Sequence, residues 1–135
     1  MILDLDAQVF PGEEPPDIGP HTAWWVAYTD KGRPVAYAGA MYWAPDRAVY
    51  LHRAGVLPDT RGRGLQRRLI RARERWGKGR GATCAYTYTA HHNTASANNL
   101  IACGYRLWIP TTWGGSTEPT RPRGATAWLY WIRRL

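Results

Sequence analysis

The chain has 135 residues, enough for one hydrophobic core and too few for two, and 44% of them are hydrophobic against 21% charged; this excludes a disordered chain and predicts one domain over residues 1–135. No apolar run approaches the roughly 18 residues of a membrane span, and residues 1–6 lack the basic and apolar regions of a signal peptide, so a cytoplasmic protein is expected. The net charge of +8 is concentrated: residues 61–80 hold nine Lys or Arg and one acid, Glu74, while the rest of the chain holds nine of each sign, which points to a polyanionic ligand.

Residues 1–22 contain Pro11, Gly12, Pro15, Pro16, Gly19 and Pro20, which leaves room for a short helix around 5–10 before the chain turns irregular. Residues 23–29 and 34–43 are rich in β-branched and aromatic side chains and are separated by Asp30-Lys31-Gly32-Arg33, the pattern of a β-hairpin. A turn at 44–47 leads to a third strand, 48–57, closed by Pro58. Leu65, Leu69, Ala72 and Trp76 then recur at spacings of four, three and four, one face of a helix, with Arg71, Arg73 and Arg75 expected on its solvated side and Gly77, Gly79 and Gly81 ending it. Residues 82–90 read as a strand and 94–103 as a short helix stopped by Gly104. Two closing strands, 105–109 and 126–133, flank a Gly-, Pro- and Thr-rich connection at 110–125, long enough to form a lip on the substrate side. The order β-β-β-α-β-α-β-β demands a mixed sheet with at least one parallel crossover. Cys84 and Cys103 read as buried free thiols, and His21, His52, His91 and His92 have no partner at ligand spacing, so no metal is expected.

The chemistry concentrates where the third strand meets the cationic helix. Val56-Leu57-Pro58-Asp59-Thr60-Arg61-Gly62-Arg63-Gly64-Leu65-Gln66 is a strand, a glycine-containing turn and a helix start. Glycines let main-chain amides approach an anion, and the helix adds unpaired amides and the positive end of its dipole. In physical terms this is a pyrophosphate site. Val56-x-Pro58-x-x-Arg61-Gly62-x-Gly64-Leu65 resembles the acetyl-CoA motif of the GNAT acetyltransferases, Gln/Arg-x-x-Gly-x-Gly/Ala, with Gln66 departing at the last position. Asn93-x-x-Ser96-x-x-Asn99-Leu100-x-x-x-Gly104-Tyr105 is similar to a second segment of that family, and the two together span about residues 50–108.

The resemblance implies an α/β, GNAT-like fold: a mixed, mostly antiparallel sheet with a central splayed pair of parallel strands, flanking helices and a shortened N-terminal helical region. It implies acetyl-CoA wedged between the splayed strands, with Ala54, Gly55 and Val56 pairing with the pantetheine and acetyl groups. Arg61, Gly62, Arg63, Gly64, Leu65 and Gln66 would cradle the pyrophosphate, Arg67 or Arg68 would meet the 3′-phosphate, and Asn93 and Ser96 would hold the other side.

Where the family often carries a glutamate base, this chain has Tyr50. His52, two residues on and of the same strand parity as Tyr50 and Ala54, is the candidate base, since an imidazole of pKa about 6.5 suits neutral pH. The family's acid, a tyrosine, aligns with Leu100; Tyr86, Tyr88 or Tyr105 could replace it, or the thiol, with a pKa of about 8.5, could leave unassisted. The expected reaction is direct acetyl transfer to the primary amine of a small molecule or peptide by a monomer or homodimer. Two other readings use the same residues: a GNAT-like protein that binds acyl-CoA without turnover, and a basic nucleic-acid-binding module, which lacks any nucleic-acid signature here.

Overall fold

A computed structural model describes residues 1–108 and 128–135; the 110–125 connection lies outside the described residues. Helix α1 (Ile2–Val9) is followed by the hairpin of β1 (Ala23–Tyr28) and β2 (Pro34–Trp43), then by β3 (Ala48–Val56). Helix α2 (Leu65–Gly79) leads into β4 (Cys84–Ala90), and α3 (Thr94–Ala102) into the short β5 (Arg106–Leu107) and the final β6 (Trp128–Arg134). The sheet order is β1-β2-β3-β4-β6-β5, and β3–β4 is its parallel pair, as a strand-helix-strand crossover requires.

Alternation along the strands sorts the sheet into two faces. On one, Val49, Leu51, Ala40 and Ala85 pack with Ile70 of α2 and Leu100 of α3, while Ala36, Ala38 and Val56 pack with Leu69. On the other, Tyr37 and Leu57 pack with Leu5 of α1. The sheet is therefore covered by α2 and α3 on one side and, at its β2–β3 end, by α1 on the other.

The buried stripe of α2 runs through Leu69, Ile70, Arg73, Glu74 and Gly77, rotated from the face that the apolar spacing predicts. Arg73, expected in solvent, is 3% exposed. Its Nη1 donates to the Gly39 carbonyl and its Nε to the Leu69 carbonyl, both at 3.1 Å, and burial lowers its pKa to about 10, still charged at neutral pH. Gly39 lies beside a shift in the β2–β3 register, so the guanidinium supplies a donor where the regular ladder is interrupted. Glu74, also buried, ties α2 to the far strands: it accepts from Arg71 at 2.8 Å, from the Tyr105 hydroxyl at 2.7 Å, and pairs with Arg133 at 3.1 Å. The cationic segment thus spends part of its charge inside the fold. Cys103 is buried as expected, whereas Cys84 is only half-buried.

Gly77 lies within α2 rather than ending it. A Cβ there would stand 2.7 Å from the Cβ of Val49, so the missing side chain lets the helix lie directly on β3, while nothing stands within 4 Å of a Cβ on Gly79. Gly77→Ala is expected to lower stability by about 1–3 kcal/mol through overpacking, and Gly79→Ala to raise it by up to about 1 kcal/mol through helix propensity. Denaturant unfolding of the two variants checks the contrast; equal changes would place the helix elsewhere on the sheet.

Candidate active site

β3 and β4 pair at Ala48↔Cys84, Val49↔Ala85 and Tyr50↔Tyr86, then part. At the point of divergence the Thr87 hydroxyl donates to the Leu51 carbonyl at 2.6 Å, satisfying a buried acceptor that a parallel neighbour would otherwise have satisfied. On the other side of β3 the ladder with β2 passes from Gly39↔His52 to Ala38↔Ala54 and skips Arg53, a β-bulge whose extra residue has a left-handed φ of 38°.

The bulge overturns the parity expected for this strand. Tyr50 and His52 share one face, but Ala54 packs with Ala36, Ala38, Val56 and Leu69 on the α2 side. Alternation holds only while every residue is paired, and the inserted Arg53 resets it. A non-glycine residue held at positive φ costs on the order of 1–3 kcal/mol and persists only where its surroundings hold it there. Here the hold is the Asp6 carboxylate of α1, 2% exposed, which accepts from Arg53 Nε at 2.6 Å and Nη2 at 2.8 Å, and also from the Tyr37 hydroxyl. The guanidinium lies 4.4 Å from the Phe10 ring centroid. The shortened N-terminal helix therefore clamps the bulge, a role that the sequence around Asp6 does not signal.

Gly62 and Gly64 both adopt left-handed backbone, with φ of 79° and 76°, which turns the chain from β3 into α2. α2 begins at Gly64 with no side-chain cap and no acid in its first turn. The amides of Leu65, Gln66 and Arg67 therefore have no side-chain acceptor at the positive end of the helix dipole.

These elements enclose a cavity of about 540 Å³. Ala54, Gly55 and Val56 line it from β3, Arg61, Gly62, Gly64, Leu65, Gln66 and Arg67 from the turn and α2, and Asn93 and Ser96 from α3. Arg63, His52 and Tyr50 are not in its wall. Val9 and Phe10 of α1, Thr60 and Asn99 also line it. Two side chains expected on a ligand are engaged with the protein: Arg61 Nε donates to the Val56 carbonyl at 3.0 Å and Arg67 Nε to Asn99 Oδ1 at 3.0 Å. Asn93 caps α3, its Oδ1 accepting from the Ser96 amide at 3.2 Å.

His52 lies between Trp24, edge-on at 5.1 Å, and Tyr50, stacked at 5.8 Å. Burial, then the charges of Arg73 and Arg53, lower its pKa to about 4 against a weaker opposing pull from Asp17, so it is neutral at pH 7 and a weak base. Burial and a hydrogen bond shared with Tyr88 push the Tyr50 phenol up, keeping it protonated. Leu100 is a core residue, and Tyr105 is buried against Glu74 on the α2 side, leaving Tyr86 and Tyr88 as the tyrosines beside the split. Among the described residues no helix is long and apolar enough to cross a membrane, and no group of His, Cys, Asp or Glu is arranged to hold a metal.

The family model described as Acetyltransferase (GNAT) family matches residues 4–105. No curated protein matches the chain. Among solved structures, an acetyltransferase of Bacillus subtilis in complex with CoA is similar at a TM-score of 0.75 and 15% identity over 99% of this chain and 91% of that one. The ribosomal-protein-S18-alanine N-acetyltransferase of Escherichia coli is similar at 0.74 and 15%, over 98% and 84%. Nourseothricin acetyltransferase is similar at 0.69 and 20%, over 85% of this chain, which spans 66% of that protein's length. The match over residues 4–105, joined to a sheet that parts between β3 and β4 above an uncapped helix start, means that this chain belongs to the GNAT acetyltransferase family.

Proposed function

We propose that the protein transfers the acetyl group of acetyl-CoA directly to the primary amine of a small molecule or peptide. The observation that carries this reading is the cavity between the end of β3 and the start of α3, bounded at one end by the two left-handed glycines and the uncapped start of α2. The residues present fit the co-substrate. The amides of Leu65, Gln66 and Arg67 hold the pyrophosphate, and the backbone of Ala54, Gly55 and Val56 pairs with the pantetheine arm. Bound there, acetyl-CoA supplies an activated acyl carbonyl.

The chain's own contribution is positioning and proton handling. The amine nitrogen attacks the carbonyl carbon, the C–N bond forms as the C–S bond breaks, and the sulfur leaves as a thiolate that then takes up the proton shed by the amine. His52, uncharged at neutral pH, receives the proton directly or through one water. A nitrogen that has begun to form the new bond is far more acidic than the free ammonium, so a weak base suffices. Tyr50, stacked on His52 at 5.8 Å, would hold the imidazole in place.

Two measurements test the reading. CoA at 100 times its Kd stabilises a protein that binds it only when folded by about 2.7 kcal/mol, and thermal unfolding should show this shift in the parent. Gly64→Val, forcing a β-branched residue to a φ of 76°, should lower the melting temperature and abolish the CoA shift; an undiminished shift would move the pyrophosphate elsewhere. His52→Gln should lower kcat roughly 10²-fold with the KM for acetyl-CoA unchanged. Because the His52 pKa lies at about 4, the parent's rate should show no His52 limb at about 6.5. Parental turnover in the variant would make His52 a packing residue.

A further inference from the structure

On the sheet face opposite α2, rings from four strands and the segment after β5 form a row. Trp24 on β1 meets His52 on β3 at 5.1 Å, and His52 stacks on Tyr50 at 5.8 Å. Tyr50 stacks on Tyr86 at 5.0 Å and on Tyr88 at 5.8 Å, with planes within 20°. Tyr88 meets Tyr130 on β6 at 6.1 Å, and Tyr86 meets Trp108, past β5, edge-on at 6.3 Å. Tyr50↔Tyr86 is the last paired step before β3 and β4 part, and His52 and Tyr88 are the next residues of the same face. The row therefore borders the mouth of the split, and Trp24, Tyr50, His52, Tyr88 and Trp108 are all partly exposed there.

Two properties of this row decide what it can hold. Its tyrosine faces are turned toward one another, so the surface offered to a ligand is made of ring rims, the electropositive part of an aromatic quadrupole. A cation needs an open ring face, and the stack has used these. Near the centre of the row the carboxylates of Asp6 and Glu13 are already paired with Arg53. Arg53 acts on Tyr88, and Arg73 and Arg53 act on His52, opposed there weakly by Asp17; Asp46 acts at Tyr86, farther from the split. Neither β3 nor β4 contains an acid. A protonated amine at the mouth of the split therefore finds no carboxylate on either strand to pair with. An acceptor must then arrive uncharged, and a flat π face lies well across a row of positive rims in the edge-to-face manner.

We propose that the acceptor is an arylamine, whose aromatic ring lies across the Tyr50–Tyr88 row and whose weakly basic nitrogen enters the split without a proton to lose first. This rests on the acetyl-transfer reading above, of which it names the substrate class.

The test compares p-toluidine, benzylamine and cyclohexylamine as acceptors with acetyl-CoA at neutral pH, read by thiol release, alongside calorimetric titration of p-toluidine into the CoA-loaded protein. The expected result is a kcat/KM for p-toluidine at least roughly tenfold above the two alkylamines. Tyr88→Leu should raise the KM for p-toluidine about three- to tenfold, the size of one lost aromatic contact, with the KM for acetyl-CoA unchanged, while Tyr88→Phe keeps the parental value. An unchanged CoA-induced thermal shift verifies that each variant is folded. Preference for either alkylamine, a parental KM in Tyr88→Leu, or absence of p-toluidine binding overturns the proposal. Binding of p-toluidine that Tyr88→Leu weakens, without thiol release from any acceptor, upholds the aryl site and overturns the transfer reading instead.

Discussion

Two neighbouring strands that stop pairing in the middle of a sheet leave backbone donors and acceptors that must find other partners, and most of this structure follows from how β3 and β4 meet that demand. After three paired steps the strands part. Thr87 takes the Leu51 carbonyl, Arg73 reaches the Gly39 carbonyl from below the sheet, and the backbone from Ala54 to Val56 borders a cavity. Just beyond the parting, the bulge at Arg53 interrupts the ladder with β2, and its left-handed backbone is secured by the buried Asp6 carboxylate. Local strain, an internal ion pair and a cavity thus gather where the sheet is interrupted twice, between β3 and β4 and between β2 and β3.

Much of the architecture is legible from residue types alone. The hairpin at Asp30-Lys31-Gly32-Arg33, the crossover helix after Pro58 and the stop at Gly104 follow from turn chemistry and periodicity, and each stands where those signals place it. The cavity wall is legible because Gly62 and Gly64 must occupy left-handed backbone, which few other residues tolerate. The bulge is not legible, because Leu51-His52-Arg53-Ala54 has no glycine or proline to mark it and Arg53 owes its conformation to Asp6, 47 positions earlier. For the same reason the shared parity of His52 and Ala54 fails. Arg73 escapes a reading by hydropathy because its partners are main-chain carbonyls, and Gly77 because its purpose is contact with Val49 rather than a helix stop.

The charge of the 61–80 segment is the feature whose meaning changes most between sequence and structure. Arg73 is interior, Arg71 serves Glu74, Arg61 fastens the turn to the end of β3, and Arg67 bridges to α3. The proposed anion site therefore offers chiefly amides and a helix dipole, with Arg61 and Arg67 in the cavity wall. On the opposite face burial, and after it the charges of Arg73 and Arg53, keep His52 neutral. A site that holds its own histidine uncharged is suited to an acceptor that also arrives uncharged, which links the proton chemistry to the row of rings beside it.

The central claim, that the parted strands and the uncapped start of α2 receive CoA, is tested most directly by following backbone amide resonances of the isotopically labelled protein during titration with CoA. The account predicts that the largest shifts fall on Gly62, Gly64, Leu65 and Gln66, with a second set on Gly55 and Val56. Shifts confined to Arg68, Arg75 and Lys78 along the helix, with these amides unmoved, would contradict it and leave the basic residues as a surface for some other polyanion.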